Sequence, residues 1–208
     1  MLQENAVEPA TLELLKKICA INFLKDFGLG GGTNLAFRLK HRLSVDLDFF
    51  TNSEFRPDKV FQSITKQFAN AELLFEQNQT MMFSINEIKV DFVLYPFKWN
   101  QKFNMIAGAR LLSVEDIIPM KLQALSNRFS KKDFWDIAFL LNDFPVAKMV
   151  EIFKTKFPQI DPGFIIHSLV AFEEAEKDPD PICIIPKTWK EIKLQLKAAV
   201  IDYTNQLL

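Results

Sequence analysis

Three groups of residues in this chain have the types and the spacing to do chemistry. Four of the six glycines, Gly28, Gly30, Gly31 and Gly32, fall within five positions of the run FGLGGGTNL. Lacking Cβ atoms, such a run turns tightly and lets the backbone approach a ligand closely. Thr33 follows as the expected N-cap of a helix whose first amides would be free for an anion such as a phosphate. The loop is neither of the common nucleotide fingerprints. A GxGxxG frame begun at Gly28 meets Thr33, one begun at Gly30 meets Leu35, and no Gly-Lys-Ser/Thr follows. A strand-to-helix turn without any ligand explains these residues equally well.

The second group is Asp46 and Asp48 in SVDLDFFT. Two residues apart on a strand, their carboxylates share a face, with Cα atoms roughly 6.5–7 Å apart. Charges that close repel, and a divalent cation between them keeps both ionised. Magnesium takes oxygen ligands and commonly joins one or two carboxylates to substrate phosphates. The third group is Asp91, a charge within the apolar run KVDFVLY that needs a partner or a metal. Should that strand pair beside SVDLDFF, three carboxylates converge, enough to hold two metal ions. A solvated strand face for Asp46 and Asp48 and an edge position for Asp91 are the plain alternatives. Each is credible alone, but the glycine loop, the DxD pair and Asp91 in this order favour a site.

The elements that must position these groups follow from hydrophobic spacing. Pro9 to about Leu24 carries Leu12, Leu15, Ile18 and Cys19 on one helical face. Thr33 to Lys40 returns to helical spacing, and Val45, Leu47 and Phe49 alternate with the aspartates as a strand with one buried face. Pro57 opens a helix whose Val60, Phe61, Ile64 and Phe68 are spaced for burial. AELLFEQ reads as a strand, and TMMFSI and IKVDFVLYP flank Asn86-Glu87 as a hairpin. From about Met105 the character changes. ARLLSVEDIIPMKLQALSNRF, KKDFWDIAFLLNDF, VAKMVEIFKTKF, GFIIHSLVAFEEAE and KTWKEIKLQLKAAVIDYTNQLL all read as helices. The expected class is α+β: an α/β core with a mixed sheet flanked by helices over residues 1–104, then an all-helical region over 105–208.

Composition sets limits on function. The chain is 49% apolar with 21 Phe, which supports a packed core and argues against a disordered or fibrous chain. A net charge of −1 gives no global pull toward nucleic acid, so any RNA contact needs a local basic patch. Cys19 and Cys183 are far apart and His41 and His167 are the only histidines, which argues against a zinc site or a disulfide framework and suits a reducing cytoplasm. The opening MLQENAVEPATLELL lacks the basic and apolar regions of a leader, and no stretch approaches the ~20 apolar residues of a membrane span. A cytoplasmic location, without membrane association, is expected.

The run Gly31-Gly32-Thr33, Leu35 and His41-Arg42-Leu43-Ser44-Val45-Asp46-Leu47-Asp48-Phe49 resembles the opening motif of the AbiEii/AbiGii toxin-type nucleotidyltransferases. These belong to the wider DNA polymerase β-like nucleotidyltransferase superfamily. SVEDIIPMKLQAL, with Lys121, is similar to the family's lysine motif, and Lys131-Lys132-Asp133-Phe134-Trp135-Asp136-Ile137 to its K/R-D-x-x-D motif. The resemblance runs from about Phe27 to Leu141. It implies a nucleotidyltransferase fold and a metal-dependent enzyme that moves a nucleoside monophosphate from a triphosphate to an acceptor such as tRNA or other RNA, releasing pyrophosphate. By resemblance, Asp46, Asp48 and Asp91 bind two magnesium ions, with manganese as the alternative, and Asp91 lies next to the attacking hydroxyl. Gly31, Gly32 and Thr33 hold the β- and γ-phosphates, and Arg42 and Ser44 touch phosphate or support the metal strand. Lys121 neutralises triphosphate charge, while Asp133 and Asp136 position the nucleotide, assist as base or orient Lys121. The resemblance further implies the toxin of a toxin–antitoxin pair, with a cognate antitoxin as partner. A non-catalytic nucleotide-binding or regulatory module and a protein-interaction domain are the rival readings.

Overall fold

The computed structural model describes residues 7–207. The leader-free reading of residues 1–6 and the final residue of the helix expected to run through Leu208 lie outside them. The chain forms two compact units, residues 1–113 and 114–208.

The first unit is built on one seven-stranded sheet. Its elements, in chain order, are α1 (Pro9–Ala20), a 3₁₀ turn (Asn22–Leu24), β1 (Gly28–Leu29), α2 (Gly31–Leu39), β2 (Leu47–Thr51), α3 (Pro57–Gln67), β3 (Glu72–Gln77), β4 (Thr80–Ile85), β5 (Ile88–Leu94), β6 (Asn104–Ile106) and β7 (Ala109–Leu111). The sheet order is β3-β4-β5-β2-β1-β7-β6. It is mixed: β2 runs parallel to β5 and β1 parallel to β7, and the other neighbours are antiparallel. Helix α1 lies against β7 and α2 against β2.

The period of two along each strand sorts the side chains onto two faces. Leu47 and Phe49 of β2, Val90 and Phe92 of β5, and Met81 and Phe83 of β4 are buried on one face, where Phe49 stacks on Phe92 with ring centroids 5.4 Å apart. Asp48, Lys89 and Asp91 therefore belong to the opposite face. The expected hairpin is present, since Asn86 (φ 53°) and Glu87 (φ 65°) form the two-residue turn between β4 and β5. Two successive left-handed residues match the twist of the flanking strands.

Two expectations need correction. ARLL reads as the start of a helix, but Ala109–Leu111 is strand β7, wholly buried and paired to β1 through Leu29 and Leu111. A three-residue segment is too short to show a period of its own, and the left-handed Ala107 and Gly108 fold it back on β6. The buried alternation also begins at Leu47, because Val45 is 50% exposed and Asp46 precedes β2.

Arg110 ties β7 to the N-terminal helix. Its guanidinium is buried and donates to three backbone carbonyls, of Cys19, of Leu24 at 2.8 Å and of Phe27 at 3.0 Å. Cys19 lies in the last turn of α1, where carbonyls lack helical partners.

The second unit contains α4 (Val114–Arg128), α5 (Lys131–Leu140), α6 (Val146–Lys156), α7 (Pro162–Ser168), a 3₁₀ turn (Glu174–Lys177) and α8 (Trp189–Asn205). Helix α4 packs on α5, α6 and α7, and α8 packs on α5 and α6. Trp189 opens α8, which starts with a capping box between Thr188 and Glu191, and stacks on the buried Trp135 of α5 at 5.5 Å. Trp135 is thus part of the packed core of the second unit.

Removing the Arg110 guanidinium strands three buried carbonyls. We expect Arg110→Ala to lower stability by roughly 3 kcal/mol or more, measured by urea denaturation of the full chain. A loss below about 1 kcal/mol would show that these carbonyls find other partners.

Candidate active site

The glycine run forms the entry to α2. Gly30 is the N-cap, with its amide donating to the Asp48 carbonyl at 2.8 Å, and Gly31 follows at φ 60°. Helix α2 thus starts earlier than Thr33, so Thr33 is not the cap. It stands in the first turn, fully buried, and its hydroxyl bonds Ser44 Oγ at 2.9 Å and donates to the Asp46 carbonyl. This pins residues 44–46 to α2, which is why they do not join the strand.

At 31 and 32 the space a side chain would need is taken by neighbouring polar groups, and the left-handed φ of Gly31 adds a backbone reason for glycine there. A Cβ on Gly31 would stand 2.1 Å from Asp48 Oδ2, and one on Gly32 would stand 2.4 Å from Arg42 Nη2 and 3.3 Å from Ser44 Oγ. The structure therefore brings Gly31, Gly32, Thr33, Arg42, Ser44 and Asp48 together at the start of α2. The buried Arg42 also donates to the Leu43 carbonyl at 3.0 Å, and its guanidinium beside Gly32 gives this helix N-terminus a full positive charge in addition to its free amides. Such an end suits phosphate.

Asp48 and Asp91 are register partners on the parallel pair β2 and β5, with strands roughly 4.8 Å apart. Asp91 is half-buried. Its Oδ2 is bound by Lys89 Nζ at 2.8 Å, while its Oδ1 is buried and accepts no hydrogen bond among the described residues. Asp46 lies just upstream of β2. Among the described residues no three His, Cys, Asp or Glu side chains are gathered as a metal cage, so the expected three-way convergence is not closed here. The donor set nevertheless fits a hard divalent cation: neighbouring carboxylates supply only oxygen ligands, and one buried oxygen is unsatisfied. Lys89 was not singled out by sequence, although its place two residues before Asp91 puts it on the same face.

In the second unit, Lys121 of α4 is not a solvated helix lysine. Its side chain is 6% exposed, and its ammonium contacts Asp133 at 3.0 Å and Asp136 at 2.6 Å, both fully buried on α5. The three-residue spacing of the aspartates sets both on one helical face toward it. Arg128, another residue that sequence reasoning missed, clamps Asp133 through Nε at 2.7 Å and Nη2 at 2.9 Å. Burial pushes the Asp133 carboxyl up, but Lys121 and Arg128 outweigh it and hold it below the usual carboxylate range. A further buried pair, Lys156 to Asp116 at 2.7 Å, joins α6 to α4.

Two outcomes test this geometry. Gly31→Ala imposes both a left-handed alanine and a clash with Asp48, and we expect a loss of about 1–2 kcal/mol in chemical denaturation. A carboxyl with a depressed folded pKa stabilises above its unfolded pKa of about 3.9 and loses that contribution as pH falls through the lower folded value. Asp133→Asn should therefore cost roughly 3 kcal/mol at pH 7 and show a shallower stability loss than wild type in urea titrations between pH 5 and pH 2. Parallel acid profiles would contradict the assignment.

Residues 13–206 match the family model described as nucleotidyl transferase AbiEii toxin, type IV toxin–antitoxin system. The uncharacterised protein aq_aa25 of Aquifex aeolicus (strain VF5) is 34% identical over 200 residues, covering 92% of this chain and 94% of that one. Among solved structures, JHP933 from Helicobacter pylori is similar with a TM-score of 0.60 at 18% identity, over 100% of this chain and 95% of that one. MenT4, a nucleotidyltransferase toxin from Mycobacterium tuberculosis H37Rv, has a TM-score of 0.63 at 12% identity, over 94% of this chain and 84% of that one. At these identities the two structures speak to the shared fold, a mixed sheet flanked by helices. The family match spans nearly the whole chain and includes both the aspartate strands and the lysine helix, so this protein belongs to the AbiEii toxin family of nucleotidyltransferase enzymes.

Proposed function

We propose that the chain transfers a nucleoside monophosphate from a nucleoside triphosphate to an RNA acceptor, with tRNA as the first candidate, in a metal-dependent reaction. The observation that carries this reading is the register of β2 with β5, which sets Asp48 beside Asp91 next to the glycine entry of α2. Magnesium, or manganese in its place, is the proposed ion, two per site, with Asp46, Asp48 and Asp91 as ligands. When bound, it neutralises charge at the α-phosphate and lowers the pKa of the acceptor hydroxyl.

The chain's own groups do the rest. The free amides at Gly31, Gly32 and Thr33 and the Arg42 guanidinium bind the β- and γ-phosphates, and Ser44 supports them. Asp91 orients the attacking hydroxyl toward the α-phosphate, from which pyrophosphate departs on the far side. Within the second unit, Lys121, which the family resemblance assigns to triphosphate charge, is oriented by Asp133 and Asp136. On this reading the nucleotidyltransferase core runs over residues 1–113, past the expected boundary at 104 because β6 and β7 belong to its sheet, and 114–208 form a helical domain. No helix among the described residues is long and apolar enough to cross a membrane. We place the protein in the cytoplasm, as the toxin of a pair whose antitoxin restrains it.

Incubation of the full chain with each α-labelled triphosphate, magnesium and total RNA tests the reaction. We expect label in a discrete RNA band, reduced on the order of 10²–10³-fold in Asp48→Asn. Pyrophosphate release without labelled RNA would redirect the acceptor to another class. Triphosphate binding with no turnover would favour a regulatory module.

A further inference from the structure

The face of the sheet that carries the aspartates also carries a cation of its own. Lys89 precedes Asp91 by two residues on β5, so both side chains rise from the same face, and Lys89 Nζ lies 2.8 Å from Asp91 Oδ2. Asp91 faces Asp48 across the parallel pair β2 and β5. The Asp91 carboxylate is thus half committed, with Oδ2 held by the ammonium and Oδ1 buried with no donor among the described residues. Asp46, Asp48 and Asp91 are not gathered as a cage among those residues.

We propose that Lys89 is a resident counter-cation of Asp91, holding its carboxylate in place when no metal is bound, so that an incoming divalent ion competes with the ammonium for it. The inference rests on the carboxylate metal site of the proposed function and adds a residue that controls access to it. Three features support it. Lys89 bonds Asp91 from the same face of β5, and Asp91 is the register partner of Asp48 on β2, so the ammonium stands on the face that carries both carboxylates. The Lys89 side chain is 40% exposed, against 15% for Asp91, so its flexible stem can carry the charge back to water without burying it. With Lys89 in place the Asp91 charge is offset at 2.8 Å, so the group attracts a free divalent ion more weakly than it would without the ammonium. Lys89 is accordingly a positioning residue: it keeps the carboxylates compatible with one another when no ion is bound and lowers the affinity for free metal.

The test is manganese binding to the nucleotide-free full chain, with free ion read by electron paramagnetic resonance. Removing one unit of charge at this range should tighten binding about tenfold in Lys89→Met, and Lys89→Gln should behave alike. Lys89→Arg, which keeps the charge, should stay near wild type. Circular dichroism confirms that each variant is folded, which the exposure of the side chain favours. Equal or weaker manganese affinity in both neutral variants would overturn the proposal, as would tightening in Lys89→Arg equal to that in Lys89→Met. Asp48→Asn and Asp91→Asn in the Lys89→Met background separate the two readings. Manganese binding that survives both would refute the metal site itself. Binding lost in both, with no tightening by Lys89→Met alone, would refute only the role of Lys89.

Discussion

Strands β2 and β5 run parallel in a register that sets one carboxylate beside another on the face away from the core. Like charges at adjacent positions of a sheet destabilise it, so a chain that keeps them must compensate. The rest of the first unit is arranged around this constraint. On the far face Leu47, Phe49, Val90, Phe92, Met81 and Phe83 make a continuous aromatic and aliphatic layer. Because side chains alternate with a period of two, that layer locks the register, and a slip by one residue would drive Asp48 and Asp91 into it. The same burial that stabilises the sheet therefore positions the charges.

The glycine entry of α2 is coupled to that register rather than adjacent by accident. The Gly30 amide is bound to the Asp48 carbonyl, and the Asp48 carboxylate occupies the space that a Cβ on Gly31 would fill. Thr33 holds the connector at Ser44 and Asp46, and Arg42 closes over Gly32. The helix end proposed to bind phosphate and the carboxylate pair proposed to bind metal are thus joined through backbone and short side chains, with little freedom to drift apart. A metal-bound triphosphate carries both kinds of charge, and this arrangement matches it.

The second unit meets the cost of buried charge differently. Lys121, Asp133, Asp136 and Arg128 form one compensated group, and Lys156 with Asp116 forms another. Buried ion pairs add little net stability, but removing one partner leaves a charge without water or counter-ion. Lys121 is thereby held in one defined position by two carboxylates of the neighbouring helix. Family membership assigns the enzyme class, and the local geometry is consistent with it in both units.

What the sequence determined by itself was whatever depends on local spacing. The alternation in LDFF, the hairpin at Asn86-Glu87, the amphipathic helices and the motif order from Gly31 to Asp136 were all legible, because helical and strand periods act within a few residues. The class of the protein was legible too, since HRLSVDLDFF is specific. The tertiary structure alone decided what depends on distant partners. Ala109–Leu111 became a strand only because β1 and β6 were there to pair with it. Asp46 left the strand because Thr33 captured its carbonyl. Lys121, solvated or buried by sequence alone, was settled by two aspartates on another helix. Lys89, an ordinary strand lysine in sequence, acquired its proposed role only when β2 set Asp48 beside its partner Asp91. Electrostatic partnership is a property of three-dimensional neighbours, and no periodicity encodes it.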